Sequence, residues 1–328
     1  MGLVENKKKL KKRIKKAKNV FLMGHKNLDL DAIGSCIGMY NILKQQKKEC
    51  FIVIDDIDTE MGVTKVLKEI DGCYNIIKSE DIPVYLHKKN KKNLLMILDT
   101  NKKCLVQNES SLDYFTKKII IDHHDLGKDT IEDALIITEE NTSSTCEIVV
   151  NIINLYNIEI SPYVCTLLLS GIILDTNNFT LKTTADTYYA AYFLTAMGGS
   201  PKKVQYLLKQ DITEYVERQK LLSSIEVIDN IAITKGTQYI TYRREDLAKI
   251  ADTLLFFNDI EASFVIGKIG KDLIGLSARS LGNYNITNIL EHLGGGGDAY
   301  NGACTFEKKT ISEAHTLLKK ELKKQNKQ

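Results

Sequence analysis

The apolar segments of this chain are short, continuous and stop abruptly at residues that can hold a proton or a cation. Asn19 to Met23 runs straight into Gly24-His25, Leu94 to Leu98 ends at Asp99, and Ile119 to Ile121 ends at Asp122-His123-His124. Runs of four to eight apolar residues without alternation suit strands covered on both faces, as in a parallel sheet between helical layers. Cys50 to Ile54 and Ala134 to Thr138 have the same texture, whereas Ala32, Ile33, Cys36, Ile37, Tyr40 and Leu43 repeat at helical spacing. The first half therefore predicts an α/β layer. From Ser143 to Met197 the periodicity is helical, with Ser143 or Ser144 as N-cap and Glu147 in the first turn; Gly198-Gly199 stops a helix and Pro201 starts the next.

Beyond Asn230 the pattern changes to strand-like pieces (Ile231 to Thr234, Gln238 to Thr241, Ala262 to Gly267, Leu273 to Ala278) mixed with helical ones near Asp246 to Leu255 and Ile286 to Leu293. The fold class expected is α/β: an N-terminal parallel-sheet domain over 1–205, a helical connector over 206–228 that holds neither Gly nor Pro, and a smaller α+β domain over 229–328. A chain of 328 residues is long enough for two such cores.

With 43% hydrophobic and 27% charged residues the composition is that of a folded globular protein. No apolar stretch reaches the roughly 18 residues of a membrane span and none resembles a signal peptide, so a cytoplasmic location is expected. The seven cysteines include no Cys-x-x-Cys pair and read as reduced core thiols. The net charge of +3 conceals Lys-rich ends around an acidic body. Those ends read as solubilising surface, and an acidic body without a basic, aromatic-interleaved channel argues against a long nucleic acid as partner.

The segment Gly24-His25-Lys26-Asn27-Leu28-Asp29-Leu30-Asp31-Ala32 concentrates three potential ligands where a strand gives way to a helix. Ligands of open α/β sheets bind beyond the carboxyl ends of the strands, so His25, Asp29, Asp31, Asp99, Asp122, His123 and His124 should face one crevice. Asp175, ending the apolar run Leu167 to Leu174, is expected to join them. Clustered carboxylates repel one another, and burying them is costly unless cations neutralise the charge. A thiol-free Asp and His set suits Mn²⁺ first, with Mg²⁺ or Co²⁺ as substitutes, rather than structural zinc. Two such ions about 3.5–4 Å apart would favour in-line phosphoryl displacement. Taken singly, Asp31 at a helix start could equally be a cap.

In motif order these residues resemble the DHH superfamily of phosphoesterases. Leu276-Ser277-Ala278-Arg279-Ser280-Leu281-Gly282 followed by Gly294-Gly295-Gly296-Gly297 resembles its associated C-terminal substrate domain. Met23-Gly24-His25-Lys26 and Leu174-Asp175-Thr176-Asn177-Asn178-Phe179-Thr180-Leu181 look most like the cyclic di-AMP phosphodiesterases, whose membrane and sensory segments this sequence does not show. The resemblance implies one ion on His25, Asp29 and Asp99 and a second on Asp31, Asp99, His123 and Asp175. His124 would contact the scissile phosphate and Asp122 would orient the imidazoles, so that Asp99, Asp122 and His124 form the catalytic group.

Arg279, Ser280 and Gly294 to Gly297 would contact the far phosphate and nucleotide. Asp298 stands where the family carries His, an acceptor in place of a donor, expected to meet an adenine amino group or to weaken affinity; Leu28 replaces a Pro. The activity implied is Mn²⁺-dependent hydrolysis of cyclic di-AMP to pApA and onward to AMP. The alternatives are an oligoribonuclease or phosphoadenosine phosphate phosphatase acting on pApA or short oligonucleotides, and a nucleotide-binding regulator without turnover. The partner expected is a small adenine dinucleotide; a homodimer is compatible with the sequence.

Overall fold

A computed structural model describes residues 2–55, 59–139, 141–297 and 299–325. The chain divides into two compact units, 1–209 and 210–328. The first contains β1 (Asn19–Met23), β2 (Glu49–Val53), β3 (Ile76–Ile77), β4 (Asn93–Leu98), β5 (Lys118–Ile121) and β6 (Ala134–Ile137). Its helices are α1 (Leu3–Lys16), α2 (Leu30–Gln45), α3 (Met61–Glu69), α4 (Ile82–Tyr85), α5 (Thr145–Tyr156), α6 (Pro162–Asp175), α7 (Ala185–Ala196) and α8 (Pro201–Leu207).

The six strands form one sheet in the order β3-β2-β1-β4-β5-β6, every neighbouring pair parallel. The continuity of the apolar runs follows from this sheet being covered on both sides. Val20, Leu22, Leu94, Met96, Leu98, Ile119 and Ile121 enter one core with α2, α5 and α6. Phe21, Met23, Leu95, Ile97 and Ile120 point to the other face, into a second core with Val106, Leu112 and Phe115. Strand order reverses between β1 and β4, so their carboxyl ends flank the crevice where such sheets take ligands.

Helix ends follow local chemistry. Ser144 caps α5, accepting from the Glu147 amide at 3.1 Å. Ser161 and Ser200 cap α6 and α8, each followed by Pro at the first position, where a missing N–H costs nothing. Gly198, with φ +95°, supplies the left-handed turn after α7.

The Lys-rich N-terminus is more than solubilising surface. It is helix α1, whose Leu3, Leu10 and Ile14 are buried in the core while most of its lysines stay in water. Two of the seven thiols, Cys73 and Cys104, are exposed rather than in the core.

The second unit contains α9 (Ile212–Gln219), β7 (Glu226–Ile228), β8 (Ile231–Lys235), α10 (Arg244–Leu254), β9 (Ala262–Gly270), β10 (Leu273–Ser280), α11 (Ile286–His292), β11 (Gly296–Gly297), β12 (Asn301–Glu307) and α12 (Ile311–Gln325). The segment 206–228, expected as a connector, contributes the end of α8 to the first unit and α9 to the second. The second sheet runs β11-β12-β10-β9-β8-β7 and is mixed, β8 and β9 being its parallel pair. Helices α11 and α12 cover one face and α10 the other.

Gln238 to Thr241, expected as a strand, is a turn that touches the sheet through Thr241 alone. The chain instead folds back after Gly236, burying the Tyr242 ring where a Cβ on Gly236 would lie 2.5 Å from it, while the Tyr242 amide donates to the Lys268 carbonyl at 2.7 Å. Among the described residues no helix is long and apolar enough to cross a membrane.

The packing of α1 makes a test. Leu10→Ala should cost about 2–5 kcal/mol of stability, whereas Lys11→Ala on the solvent face should stay within about 0.5 kcal/mol. Urea unfolding of the two variants measures the difference, and equal effects would show α1 to be dispensable to the core.

Candidate metal centre

Asp29 is the N-cap of α2: its Oδ1 accepts the amides of Asp31 and Ala32, both at 2.9 Å. Capping therefore belongs to Asp29, and Asp31 sits inside the first turn. Asp31 is fully buried, and its two carboxylate oxygens accept the Cys146 and Thr145 amides at the start of α5, each at 2.8 Å. A helix N-terminus stabilises an anion through its unpaired amides and its dipole, which explains how a carboxylate can be held there. The approach of α6 to this place needs glycine: a Cβ on Gly171 would lie 2.7 Å from Asp31 Oδ1 and 2.6 Å from Cys146 Sγ.

Asp99 leaves β4 in the left-handed region, φ +62°, its amide donating to the Ile121 carbonyl at 3.0 Å. Its side chain is only 3% exposed and accepts from the Thr145 hydroxyl at 3.1 Å. Around it the structure brings together His25, Asp29, Asp31, His123 and Asp175. His25 Nε2 stands 3.3 Å from Asp99 Oδ2 and 3.6 Å from Asp29 Oδ2. His123 Nε2 stands 3.5 Å from Asp99 Oδ1 and 3.1 Å from Asp175 Oδ2.

Ligating atoms of His25, Asp29 and Asp99 lie within 4.8 Å of one another, as do those of Asp31, Asp99, His123 and Asp175; the two sets share Asp99. A third set, Asp99 with His123 and His124, is equally compact.

These donors fit divalent cations. The His123 side chain is buried, yet neither ring nitrogen has a hydrogen-bond partner, although Nε2 is close to two carboxylates. Lone pairs that converge without bonding one another are what a shared cation would satisfy. His25 Nδ1 faces the Lys26 carbonyl, which can only accept, so Nδ1 carries the proton and Nε2 is the ligating nitrogen. Asp175 ends α6, where the helix dipole disfavours negative charge.

The titration behaviour reports the same excess of negative charge. Burial first, then Asp99 and Asp175, raise Asp31 well above the carboxylate range. Burial, Asp99 and Asp29 do the same to Asp175, with His124 and Lys182 opposing. Burial works against a charged His25, but Asp29 and Asp99 outweigh it and lift the imidazole to about 12. Asp29 falls to about 2, because His25 and the two amides overcome its burial.

Residues 19–172 match the DHH family, N-terminal domain. That segment is a DHH family N-terminal domain. It is 36% identical over 314 residues to the cyclic-di-AMP phosphodiesterase PdeA of Listeria monocytogenes, an alignment covering 94% of this chain and 48% of PdeA; the chain thus spans about half the length of that relative. It is 25% identical over 303 residues to the bifunctional oligoribonuclease and PAP phosphatase NrnA of Thermus thermophilus, covering 90% of this chain and 86% of NrnA. An exopolyphosphatase-related protein of Bacteroides fragilis shares the fold, with a TM-score of 0.78 at 22% identity over 97% of this chain and 95% of that one.

The DHH triplet itself is wired through Asp122. That carboxylate is fully buried, with Oδ1 accepting from the His124 ring at 2.7 Å and the His124 amide at 3.2 Å, and Oδ2 accepting from Asn101 at 2.7 Å. Asp122 thus fixes His124, while His123 turns to Asp99 and Asp175. Burial works against the His124 cation, but Asp122 and Asp99 raise it to about 9. His124, 52% exposed, lines a cavity of about 310 Å³ with His25, Asp29, Asp99, Asp175 and the stretch Thr100, Asn101, Lys102 and Leu105. The sequence reading missed Thr145, Asn101 and Lys102. Asn101 and Lys102 could have been noticed from standing two and three residues past Asp99, whereas Thr145 carries no signal in the sequence.

In the second unit, Arg279 donates from Nε to Asp252 at 2.7 Å and from Nη1 to the Ala278 carbonyl at 2.9 Å, so a phosphate would have to compete for it. Ser280 donates to the Tyr284 carbonyl and accepts from the Gly282 amide, which commits its hydroxyl to a turn. Gly294 turns the chain at φ +81° and Gly296-Gly297 pair with β12, where a Cβ on Gly297 would sit 2.2 Å from the Asn301 carbonyl. Gly294 and Gly297 therefore have a structural reason to be glycine, as does Gly295, whose Cβ would lie 2.3 Å from the Ala303 carbonyl, whereas a Cβ on Gly296 would meet open space. Asp298 lies outside the described residues. Leu28, fully buried, packs beside Gly24 in the core.

Cation binding should strengthen with pH. The raised values of Asp31, Asp175, His25 and His124 mean that the metal-free protein gains stability from protonation, a gain lost as pH rises towards those values. Cations must displace these protons. The rise in melting temperature on adding Mn²⁺ should therefore be larger at pH 8 than at pH 5.5, approaching the equivalent of about 2.7 kcal/mol at 100 times Kd. A shift independent of pH would contradict the assignment of these groups.

Proposed function

We propose that this chain is a metal-dependent phosphodiesterase that opens a phosphodiester bond of a small adenine dinucleotide, with cyclic di-AMP as substrate and pApA as product, hydrolysed onward to AMP. The observation that carries the reading is the pair of donor sets sharing Asp99 at the rim of a solvent-open cavity. Asp and His donors with no thiol favour Mn²⁺, with Mg²⁺ or Co²⁺ able to substitute. What two such ions supply when bound is a lowered water pKa and positive charge opposite the phosphoryl oxygens. The choice of substrate is supported by the likeness to PdeA over 94% of the chain.

The remaining work falls to side chains. Asp99 would serve both ions, its left-handed backbone and the Thr145 hydroxyl fixing its orientation. His124, bound through Nδ1 to Asp122, whose carboxylate favours the imidazolium, would donate from Nε2 to a phosphate oxygen. Asn101 holds the far oxygen of Asp122, so the chain Asn101, Asp122, His124 sets the ring before substrate arrives. Arg279, Ser280 and the Gly294 to Gly297 run remain proposed substrate contacts on the strength of the motif.

A second reading is favoured by the NrnA alignment, which covers 86% of that protein: turnover of short linear oligonucleotides or phosphoadenosine phosphate. Assays of cyclic di-AMP, pApA and phosphoadenosine phosphate side by side, with Mn²⁺, Mg²⁺ or chelator, separate the two. Cyclic di-AMP should turn over fastest and chelator should abolish all activity; faster turnover of a linear substrate would favour the second reading.

Two substitutions check the roles. Asp99→Asn should lower kcat by at least ~10²- to 10³-fold while leaving the far-ultraviolet circular dichroism unchanged. Asp122→Asn should cost roughly 10- to 100-fold and shift the basic limb of the pH profile towards neutrality as His124 loses its partner. Wild-type rates in the Asp99 variant would end the two-cation account.

A further inference from the structure

The turn that follows Asp175 holds a feature the chemistry above does not use. Asn177, Asn178 and Phe179 have φ values of +45°, +60° and +63°, and Lys182 follows at +47°. Asparagine tolerates the left-handed region; a phenylalanine there is strained, by about 1–3 kcal/mol on general grounds. Thr176 enforces the geometry. Its hydroxyl accepts the Phe179 amide at 3.0 Å, and its carbonyl accepts the amides of Thr180 and Leu181, both at 2.9 Å. The strain places the Phe179 ring, half-buried on the core, against Tyr188 in the first turns of α7, with centroids 5.4 Å apart and planes at 21°. Tyr188 itself is 57% exposed.

A large aromatic ring left in water, backed by a second ring in parallel and pinned by a strained turn, is a flat platform. Phe179 stands four positions after Asp175, a chain length of at most ~14 Å even if extended, and the turn folds that distance back. Lys182 belongs to the same left-handed turn. Asp175 lines the cavity and, four positions on, Phe179 backs the exposed Tyr188 ring, so one short stretch of chain ties a phosphate-handling centre to a flat apolar face, two of the parts a nucleotide needs.

We propose that Tyr188 is the stacking platform for an adenine base of the substrate and that Phe179 is the positioning residue that holds its plane; this rests on the phosphodiesterase reading above. Stacking on an aromatic ring is a general means of holding a base. It would add affinity for base-bearing diesters over base-free ones without touching the reacting phosphorus.

Wild type, Tyr188→Ala, Tyr188→Phe and Phe179→Leu would be compared on cyclic di-AMP and on methyl p-nitrophenyl phosphate, a diester without a base. Tyr188→Ala and Phe179→Leu should raise KM for cyclic di-AMP at least ten-fold with a smaller change in kcat. Both should leave the base-free diester within two-fold, and Tyr188→Phe should behave as wild type. Unchanged KM for cyclic di-AMP in both variants, or equal losses on both substrates, would overturn the platform. If wild type hydrolyses neither diester, the phosphodiesterase reading fails instead. The platform is then decided by binding of 2-aminopurine riboside 5′-monophosphate, whose fluorescence should be quenched by wild type and not by Tyr188→Ala; equal quenching by both would reject it.

Discussion

Four carboxylates held around one point repel one another, and this repulsion governs the first unit. Asp31 and Asp99 are buried, Asp29 and Asp175 partly so, and two imidazoles stand between them. Like charges this close in a medium of low polarity cannot all remain ionised without a counter-charge. The fold answers in two ways. Fixed dipoles take part of the load: the α2 N-terminus serves Asp29 and the α5 N-terminus serves both oxygens of Asp31. The rest is left to mobile positive charge, protons on His25 and on the raised carboxyls in the metal-free protein, or divalent cations that displace them.

The sheet makes that concentration geometrically possible. Parallel strands send all their carboxyl ends to one edge, and reversal of strand order between β1 and β4 opens a gap there instead of filling it with a crossover helix. Asp99 leaves the strand beside that gap, which is why one carboxylate can belong to both donor sets. Glycine completes the arrangement from the other side, since any side chain at Gly171 would occupy the space of Asp31 and push α6, with Asp175 at its end, away from the cluster.

Much of this was legible in the sequence because two simple periodicities carry it. Uninterrupted apolar runs announced a sheet with two covered faces, and the residues that end those runs had to gather at one edge. Tertiary contacts that leave no local trace were not legible. Nothing around Asp31 announces that its partners are amides of a helix more than a hundred residues later, and nothing marks Thr145 as a ligand of Asp99. Lysine density concealed the buried stripe of α1, since three apolar residues sufficed to dock it. The fold-back at 238–241, which buries the Tyr242 ring against Gly236, likewise leaves no local trace.

The two units also differ in how much the motif alone explains. In the first, packing and hydrogen bonding give no structural need for so many acids in one place, so function is the economical account. In the second, Gly295 and Gly297 are required by close backbone approach and Gly294 by its left-handed turn, Ser280 serves a turn and Arg279 pairs with Asp252, so a structural account covers the motif except Gly296, where a Cβ would meet open space. The difference can be drawn out by substitution. Asp252→Asn removes the charge that competes for Arg279 while keeping a hydrogen-bond acceptor in place. If Arg279 binds phosphate, this change should lower KM for the dinucleotide several-fold. If the ion pair is purely structural, the same change should leave KM alone and lower only the melting temperature.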